Sequence, residues 1–147
     1  MDSLEVKKEI DHWKNSLNKT LVDSLTIAMI RDQKYRSKED YDEDLFLLAD
    51  AKNSTLLKQT FEKYGYPSIY KIGIKGNDGI NIHVYSIMLH MVMSKDNEYL
   101  KNKLYEFIKS GECPPEVYSV FVDRHESIYN KRILYGDYGI IENVDST

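Results

Sequence analysis

Residues 4–25 read LEVKKEIDHWKNSLNKTLVDSL, and their apolar side chains recur at every third or fourth position. The recurring apolar residues are Val6, Ile10, Trp13, Leu17, Leu21 and Leu25. This spacing predicts an amphipathic helix with one buried stripe. Thr20 with Asp23 three positions later resembles an N-terminal cap, so the segment forms either one helix or two helices interrupted near Asn18. In both cases, helix is expected to continue to about Arg36.

A further helix is predicted from about Asp44 to Tyr64, after a polar and acidic connection over residues 37–44. Its expected core face consists of Leu45, Leu48, Leu56, Thr60, Phe61 and Tyr64. Gly65 follows where a left-handed C-cap is needed, and Pro67 prevents simple continuation. The helix is therefore expected to end at Tyr64.

Glycines and prolines punctuate the second half of the chain. Residues 68–79 contain three glycines and an Asn-Asp pair, which predict a loop or a minor hairpin. Helical spacing resumes over residues 80–91 and again over residues 97–109. Pro114 and the proline after it suit the entry into a last helix, which is expected to run to about residue 129.

These patterns together predict an all-α protein. We expect a single compact domain over residues 1–147, because this length suits one core. The domain is expected to contain about five or six helices, a glycine-rich loop or minor hairpin in the middle, and an irregular C-terminal tail from about residue 130.

The composition is that of an ordinary globular protein, with 41% apolar and 30% charged residues. The formal net charge is -4, from 24 acidic and 20 basic side chains, with no long block of either sign. A nucleic-acid partner is therefore not expected, because such binding needs a positive surface that displaces counterions from phosphates. Packing explains the 12 tyrosines better than base stacking does, since no basic groove accompanies them.

Cellular location is inferred from the single cysteine and from the distribution of apolar residues. Cys113 cannot form an intramolecular disulfide, which favours a reducing compartment and a cytoplasmic location. The N-terminal residues include Asp2, Glu5 and Lys7 instead of the apolar run of a signal peptide. The richest apolar segment, residues 87–93, is short and contains a histidine, so no membrane association is expected.

A calcium loop was considered at Asp40, Asp42 and Asp44, whose carboxylates alternate along the chain. In this register, Leu45 occupies the position that needs glycine, and Ala51 occupies the position that needs a bidentate glutamate. A solvated acidic loop is the better interpretation, because both missing residues are needed to turn the loop and complete the oxygen cage.

Other metal, phosphate and nucleophile signatures are weak. His83 and His90 are seven positions apart, whereas helical metal ligands are usually three or four positions apart. The glycines at 73, 76 and 79 lack the Gly-Lys-Ser/Thr of a phosphate loop, and Cys113 has no nucleophile signature. We therefore predict no metal and no cofactor.

Two pairs of charged residues are candidates for a functional site. Asp32 and Arg36 are four positions apart and can pair on one helical face. The simpler interpretation of this pair is a surface ion pair worth less than about 1 kcal/mol. Asp123 and Arg124 interrupt an apolar run, and charged groups that are partly buried need partners.

A series of short motifs extends over most of the chain, from about residue 21 to residue 136. The motifs are Asp32-Gln33-x-x-Arg36, Asp50-x-x-Asn53, Gly65-Tyr66-Pro67, His90, Asp123-Arg124 and Tyr135-Gly136. In this order they resemble an uncharacterised bacterial family of helical domains of unknown function. The resemblance implies a helical fold and no established activity. It also marks as site positions the residues that match the family's polar pattern, which are Asp32, Gln33, Arg36, His90, Asp123 and Arg124.

The C-terminal motif departs from the pattern of that family. Relatives often have Gln-x-Tyr-Gly-Thr-Gln, whereas residues 132–138 here read RILYGDY. If the glutamines bind a ligand in relatives, that contact is altered in this protein. Tyr135 and Gln33 are retained as candidate ligand-binding residues.

The first functional hypothesis is an acid-base or hydrolytic enzyme centred on His90. A carboxylate from Asp32 or Asp123 would orient the imidazole as a general base. Arg36 or Arg124 would stabilise negative charge on a small anionic ligand.

Two other hypotheses account for the same residues without catalysis. The first is a non-enzymatic module, immunity-like or regulatory, that binds a protein partner through an acidic and tyrosine-rich surface. The second is a polar network that only holds the helices together. Because the residue types fit all three hypotheses, their positions in space must discriminate between them.

Overall fold

The computed structural model describes residues 2–73 and 84–136, and within these ranges it is helical without any strand. The prediction of an all-α protein is confirmed for this part of the chain. The helices are α1 (Ser3–Ser16), α2 (Lys19–Lys34), α3 (Glu43–Tyr64), α4 (Ile69–Ile72), α5 (Val84–His90), a 3-10 helix (Met91–Met93), α6 (Asn97–Lys109) and α7 (Pro115–Asn130). The described ranges thus hold more helices than the expected five or six, because the first helical segment is split and α4 is an additional single turn.

The break between α1 and α2 lies at Leu17 and Asn18. The side chain of Asn18 accepts a hydrogen bond from the backbone N–H of Leu21 at 3.0 Å and caps α2. Of the two alternatives, the two-helix form is therefore present, with Asn18 and not Thr20 as the cap. The backbone N–H of Asn18 also donates to the carbonyl of Lys71, which ties this break to α4.

The predicted buried stripe of α1 is wrong, because none of residues 3–16 is buried. Val6 is 39% exposed and Ile10 is 44% exposed. The spacing predicted the helix and its apolar face correctly, but it could not show that the rest of residues 2–73 and 84–136 leaves this face uncovered. By contrast, Leu21 and Leu25 in α2 are fully buried.

Helix α3 begins and ends at residues suited to those positions. The side chain of Asp42 caps its N-terminus by accepting from the Leu45 N–H at 3.0 Å, which gives part of the acidic loop a structural role. At the other end, Gly65 adopts a φ of 74°, as predicted for a left-handed C-cap. Lys71 Nζ donates to the carbonyls of Tyr64 and Tyr66 at 2.6 and 3.0 Å, so free carbonyls at this helix end are satisfied.

The predicted core face of α3 is partly wrong. Leu45 is 40% exposed and Leu48 is 52% exposed, while Asn53 and Ser54 are buried. The C-terminal part of the prediction is better, since Thr60 and Phe61 are buried and Leu56 and Tyr64 are partly buried against the core. The N-terminal half of α3 turns a polar face inward because that face forms hydrogen bonds with α2 and with the segment after the 3-10 helix.

The glycine-rich segment is only partly described. Residues 69–72 form α4, and Gly73 follows with a φ of 81°. The predicted loop or hairpin beyond Gly73, the start of the helix predicted over residues 80–91 and the candidate ligand His83 lie outside the described residues.

The later helices match their predictions closely. Helix α6 has the predicted bounds, and α7 begins at Pro115 and ends one residue later than predicted. Residues 131–136 form no helix, in agreement with an irregular start to the tail. Residues 137–147 lie outside the described part of the chain.

One hydrophobic cluster joins α2, α3, α5, the 3-10 helix, α6 and α7. Phe61 of α3 and Phe107 of α6 meet edge to face, with ring centroids 5.2 Å apart. Helix α2 packs against α3 and α5, and α5 packs against α7. This packing places the C-terminal half of α2 beside the polar face of α3 and the end of α5.

Within the described ranges, no helix has both the length and the apolar character needed to cross a membrane.

Candidate functional site

A buried carboxylate, Asp32, lies at the centre of a polar network near the end of α2. Its side chain has no solvent exposure. Arg36, which follows the end of α2, donates from Nη1 to Asp32 Oδ1 at 3.3 Å and to the Asp32 carbonyl at 2.7 Å. The i,i+4 pair is therefore present, but its interpretation as a surface ion pair is wrong. Burial makes the partners of Asp32 obligatory, because an unpaired carboxylate in the interior is costly.

Gln33 satisfies the other oxygen of the same carboxylate. Its Nε2 donates to Asp32 Oδ2 at 2.6 Å. Gln33 is an exposed residue, and its side chain extends inward to the buried carboxylate of Asp32. Both oxygens of the Asp32 carboxylate therefore have a hydrogen-bond donor.

His90 reaches the network from α5. Its Nδ1 lies 2.7 Å from Asp32 Oδ1, and its side chain retains 22% exposure. Among residues 2–73 and 84–136, none forms a hydrogen bond with Nε2 of this ring. One nitrogen of His90 therefore contacts a fixed carboxylate, while the other is not engaged by the described residues.

Helix α3 extends the network through Asp50. Arg36 Nη2 lies 2.8 and 2.7 Å from the two oxygens of Asp50, whose side chain is 15% exposed. The Arg36 guanidinium also lies over the ring of Phe46, 5.1 Å from its centroid. Both terminal nitrogens of Arg36 are thus engaged within the protein. This arrangement argues against the expected role of Arg36 in binding an anion and favours a role in fixing Asp32 and Asp50.

Asn53 joins α2 to α3 one turn further along. Its Nδ2 donates to the carbonyl of Ala28 at 3.0 Å, and its Oδ1 accepts from Arg31 at 3.1 Å. Asp50 and Asn53 form one of the motifs of the family resemblance, but they are not among the site residues predicted from the sequence. Their i,i+3 spacing could have indicated a common partner, although a solvated helix face has the same spacing.

Asp123 organises a second polar contact, between α7 and the segment that follows it. Its buried Oδ1 accepts from the backbone N–H groups of Leu134 and Tyr135, each at 2.8 Å. Asp123 therefore holds the backbone of this segment. The Tyr135 side chain is 55% exposed, and its ring lies 6.4 Å from that of Tyr118.

The structure thus assigns the predicted site residues to two regions. Asp32, Gln33, Arg36 and His90 belong to one network, to which Asp50 is added. Asp123 and Tyr135 meet at the end of α7. Arg124 is half-buried on α7, the helix that packs against the one carrying His90.

The remaining metal and nucleophile candidates have ordinary environments in the described ranges. No group of three His, Cys, Asp or Glu side chains able to hold a metal ion occurs within residues 2–73 and 84–136. Cys113 is buried, as expected for a small packing residue. Burial raises the pKa of its thiol to about 12, and a nearby carboxylate, Glu116, adds to this increase. A neutral thiol is a poor nucleophile at physiological pH.

Comparisons with protein-family models, with curated proteins and with solved structures found no match for this chain.

Proposed function

We propose that Asp32 and His90 form an acid-base pair at a polar ligand site. In this proposal, His90 Nε2 takes a proton from water or from a hydroxyl group of a small substrate. The observation that supports it is the 2.7 Å contact between Asp32 Oδ1 and His90 Nδ1. The carboxylate is wholly buried and held by neighbouring side chains, whereas the imidazole is 22% exposed. This combination suits a fixed orienting group and an accessible reactive group.

The identity of the orienting group determines which nitrogen reacts. An ionised Asp32 can only accept hydrogen bonds, so the neutral His90 ring carries its hydrogen on Nδ1 and has a lone pair on Nε2. Imidazole can accept and then donate a proton near neutral pH, which makes it the commonest general base. When Nε2 takes up a proton, the negative charge of Asp32 offsets the charge of the imidazolium.

Three charged side chains form the network that His90 joins. The carboxylates of Asp32 and Asp50 and the guanidinium of Arg36 leave one negative charge, and protonation of His90 cancels it. Because Arg36 is engaged by both carboxylates, we assign it to positioning.

Hydrolysis of p-nitrophenyl acetate tests the proposal, because this ester reports an accessible imidazole base or nucleophile without knowledge of the natural substrate. We expect His90→Gln to lower the rate at least about tenfold, since an oriented general base typically contributes more than that. Asp32→Asn should lower the rate as well. The matched control is His12→Gln, because His12 is exposed on α1, where no residue is buried.

A change in the hydrolysis rate has to be separated from a change in folding. Circular dichroism and urea denaturation of each variant show whether a lost rate reflects a lost site or an unfolded protein. Equal rates for folded His90→Gln and His12→Gln would exclude an activated base at His90.

The alternative function, binding of a protein partner, is supported only by exposed tyrosines. Tyr70 is 75% exposed, Tyr41 is 61% exposed and Tyr135 is 55% exposed. Tyrosine is enriched in interfaces, but these residues lie in separate segments of the chain. A partner bound through them would be insensitive to His90→Gln, which distinguishes this function from the proposed one.

A further inference from the structure

Helix α1 presents an apolar face that the described part of the chain leaves open. Val6 and Ile10 are 39% and 44% exposed, and none of residues 3–16 is buried. Trp13 and Leu17, at the C-terminal end, are half-buried. Exposed apolar stripes of this kind are typical of surfaces that meet another protein segment.

The spacing of this face is that of a coiled coil. Within α1, Val6, Ile10 and Trp13 are separated by four and three positions, which assigns Val6 and Trp13 to d positions and Ile10 to an a position of a heptad. Leu17 is the C-cap of α1 and lies outside this seam. The first a position is Ser3. A helix with this repeat buries its stripe best against a second helix of the same kind.

Charged residues flank the stripe in a pattern that selects the partner and its direction. In this register, Glu9 occupies a g position of α1, and Lys7 and Lys14 occupy e positions. Asp2 occupies the preceding g position, at the N-cap of the helix. All of these residues are exposed. In a parallel pair of identical helices, each g residue faces the e residue five positions later on the other helix. Asp2 would then face Lys7 of the second copy, and Glu9 would face Lys14.

An antiparallel pair of the same helices is disfavoured by these charges. That arrangement brings g residues near g residues and e residues near e residues, so acidic side chains face acidic ones and lysines face lysines. Like charges in such contacts are destabilising. The charge pattern therefore fits a second copy of this chain in the parallel direction.

We propose that α1 forms a short, parallel, two-stranded coiled coil with a second copy of this chain. The two-fold symmetry of such a dimer repeats each ion pair, so that Asp2–Lys7 and Glu9–Lys14 contacts occur on both sides of the seam. The seam contains two heptads along a helix of 14 residues. An interface of this size is below about 1,000 Å² and belongs to the weak, reversible class. This proposal is independent of the proposed function, because it involves no residue of the Asp32–His90 network.

Sedimentation velocity over roughly 1 μM to 1 mM protein tests the association, because this range covers weak dimers. We expect the dimer fraction to rise with concentration and the emission of Trp13 to shift to the blue, since Trp13 is the one tryptophan of the chain and lies in the seam. Ile10→Asp should weaken the dimer at least about a hundredfold, because it places two carboxylates in an apolar seam. The fold should persist in this variant, since Ile10 is not part of the core. A monomer at the highest concentration, or a dimer that survives Ile10→Asp, overturns the proposal.

A charge swap tests the predicted pairing. Glu9→Lys alone and Lys14→Glu alone should each weaken the homodimer about tenfold, because attractive contacts become repulsive. Mixing the two variants should restore association, since each acidic position then faces a lysine on the other chain. A mixture that associates no better than either variant overturns the pairing.

A cysteine at the first a position tests the parallel direction. In Ser3→Cys, a parallel dimer brings the introduced thiols together, and mild oxidation should link the two chains. An antiparallel dimer would separate them by about 20 Å, the length of the helix. The native Cys113 is buried and does not compete in this test. A concentration-dependent dimer that fails to cross-link through this position overturns the proposal.

Discussion

Replacement of Arg36 by methionine tests whether the charged network is a buried, interdependent unit. Methionine preserves much of the unbranched stem but removes the guanidinium that bridges Asp32 and Asp50. Asp32 would keep its contacts with His90 and Gln33, whereas Asp50 would lose its bridge to the network. Two carboxylates would then share the site without the cation that separates them.

The expected cost follows from the burial of these groups. Removal of one partner from a buried ion pair costs about 3–5 kcal/mol, because the other charge remains in the interior. Asp32 has no exposure, but Arg36 and Asp50 are 21% and 15% exposed, so water can partly solvate Asp50 in the variant. We therefore expect a loss near the lower limit, about 3 kcal/mol. With a urea m-value of about 1.5 kcal/mol per molar, the midpoint should fall by about 2 M.

Urea denaturation followed by circular dichroism measures this loss. The matched control is Lys101→Met, which removes an i,i+3 pair with Glu98 whose carboxylate side chain is 63% exposed. That change should cost less than about 0.5 kcal/mol, because exposed ion pairs contribute little. A loss below about 1 kcal/mol for Arg36→Met would refute the reasoning, since it would mean that the network tolerates an uncompensated carboxylate.

Three further measurements test the hydrophobic core, the role of His90 and the loss of stability at alkaline pH. Leu57→Ala should lower the free energy of unfolding by about 2–5 kcal/mol in urea denaturation, because Leu57 is fully buried. The control Leu47→Ala should lower it little, because Leu47 is 50% exposed. Similar losses for the two variants would contradict the assigned core. His90→Ala should lower the free energy of unfolding by about 1 kcal/mol, because water can replace part of the hydrogen bond of a side chain that is 22% exposed. A loss above about 2 kcal/mol would mark His90 as mainly structural. Burial raises the pKa of the Cys113 thiol from 9.0 to about 12, so this thiol loses its proton at lower pH in the unfolded chain than in the folded protein. The free energy of unfolding should therefore fall as the pH rises from 9 to 12. Cys113→Ala should reduce that fall by at most about 1.4 kcal/mol per pH unit, and an unchanged pH profile would contradict the assignment.

Most helices could be predicted from the sequence because their signals are local. The bounds of α6 and the end of α3 depend on periodicity and on Gly65, which act within a few residues. The buried faces were harder to predict. Leu45 and Leu48 are more apolar than Asn53, but Asn53 is buried because α2 offers its amide both a donor and an acceptor. Apolar periodicity does not contain this information.

The candidate site was predictable to the extent that its contacts are local in sequence. Asp32 and Arg36 were paired by their i,i+4 spacing, which any helix provides. His90 is 58 positions from Asp32, and its proximity depends on how α5 packs against α2. His90 was a candidate because of its residue type and the family resemblance, and neither of these gives a distance. Asp50 was omitted because its spacing to Asn53 is equally typical of a solvated face.

The proposed reactive role of His90 is supported by how the members of the network are hydrogen-bonded. Asp32 is fully buried and accepts from Arg36 and Gln33 even without His90, so the imidazole is not needed to prevent an unpaired charge. A histidine retained only as a brace would be expected to engage both ring nitrogens or to be buried with the carboxylate. His90 instead uses Nδ1 for the carboxylate and keeps 22% of its side chain exposed. In the proposed function, the other donors around Asp32 would keep this carboxylate paired while His90 exchanges a proton, which is what an acid-base residue requires.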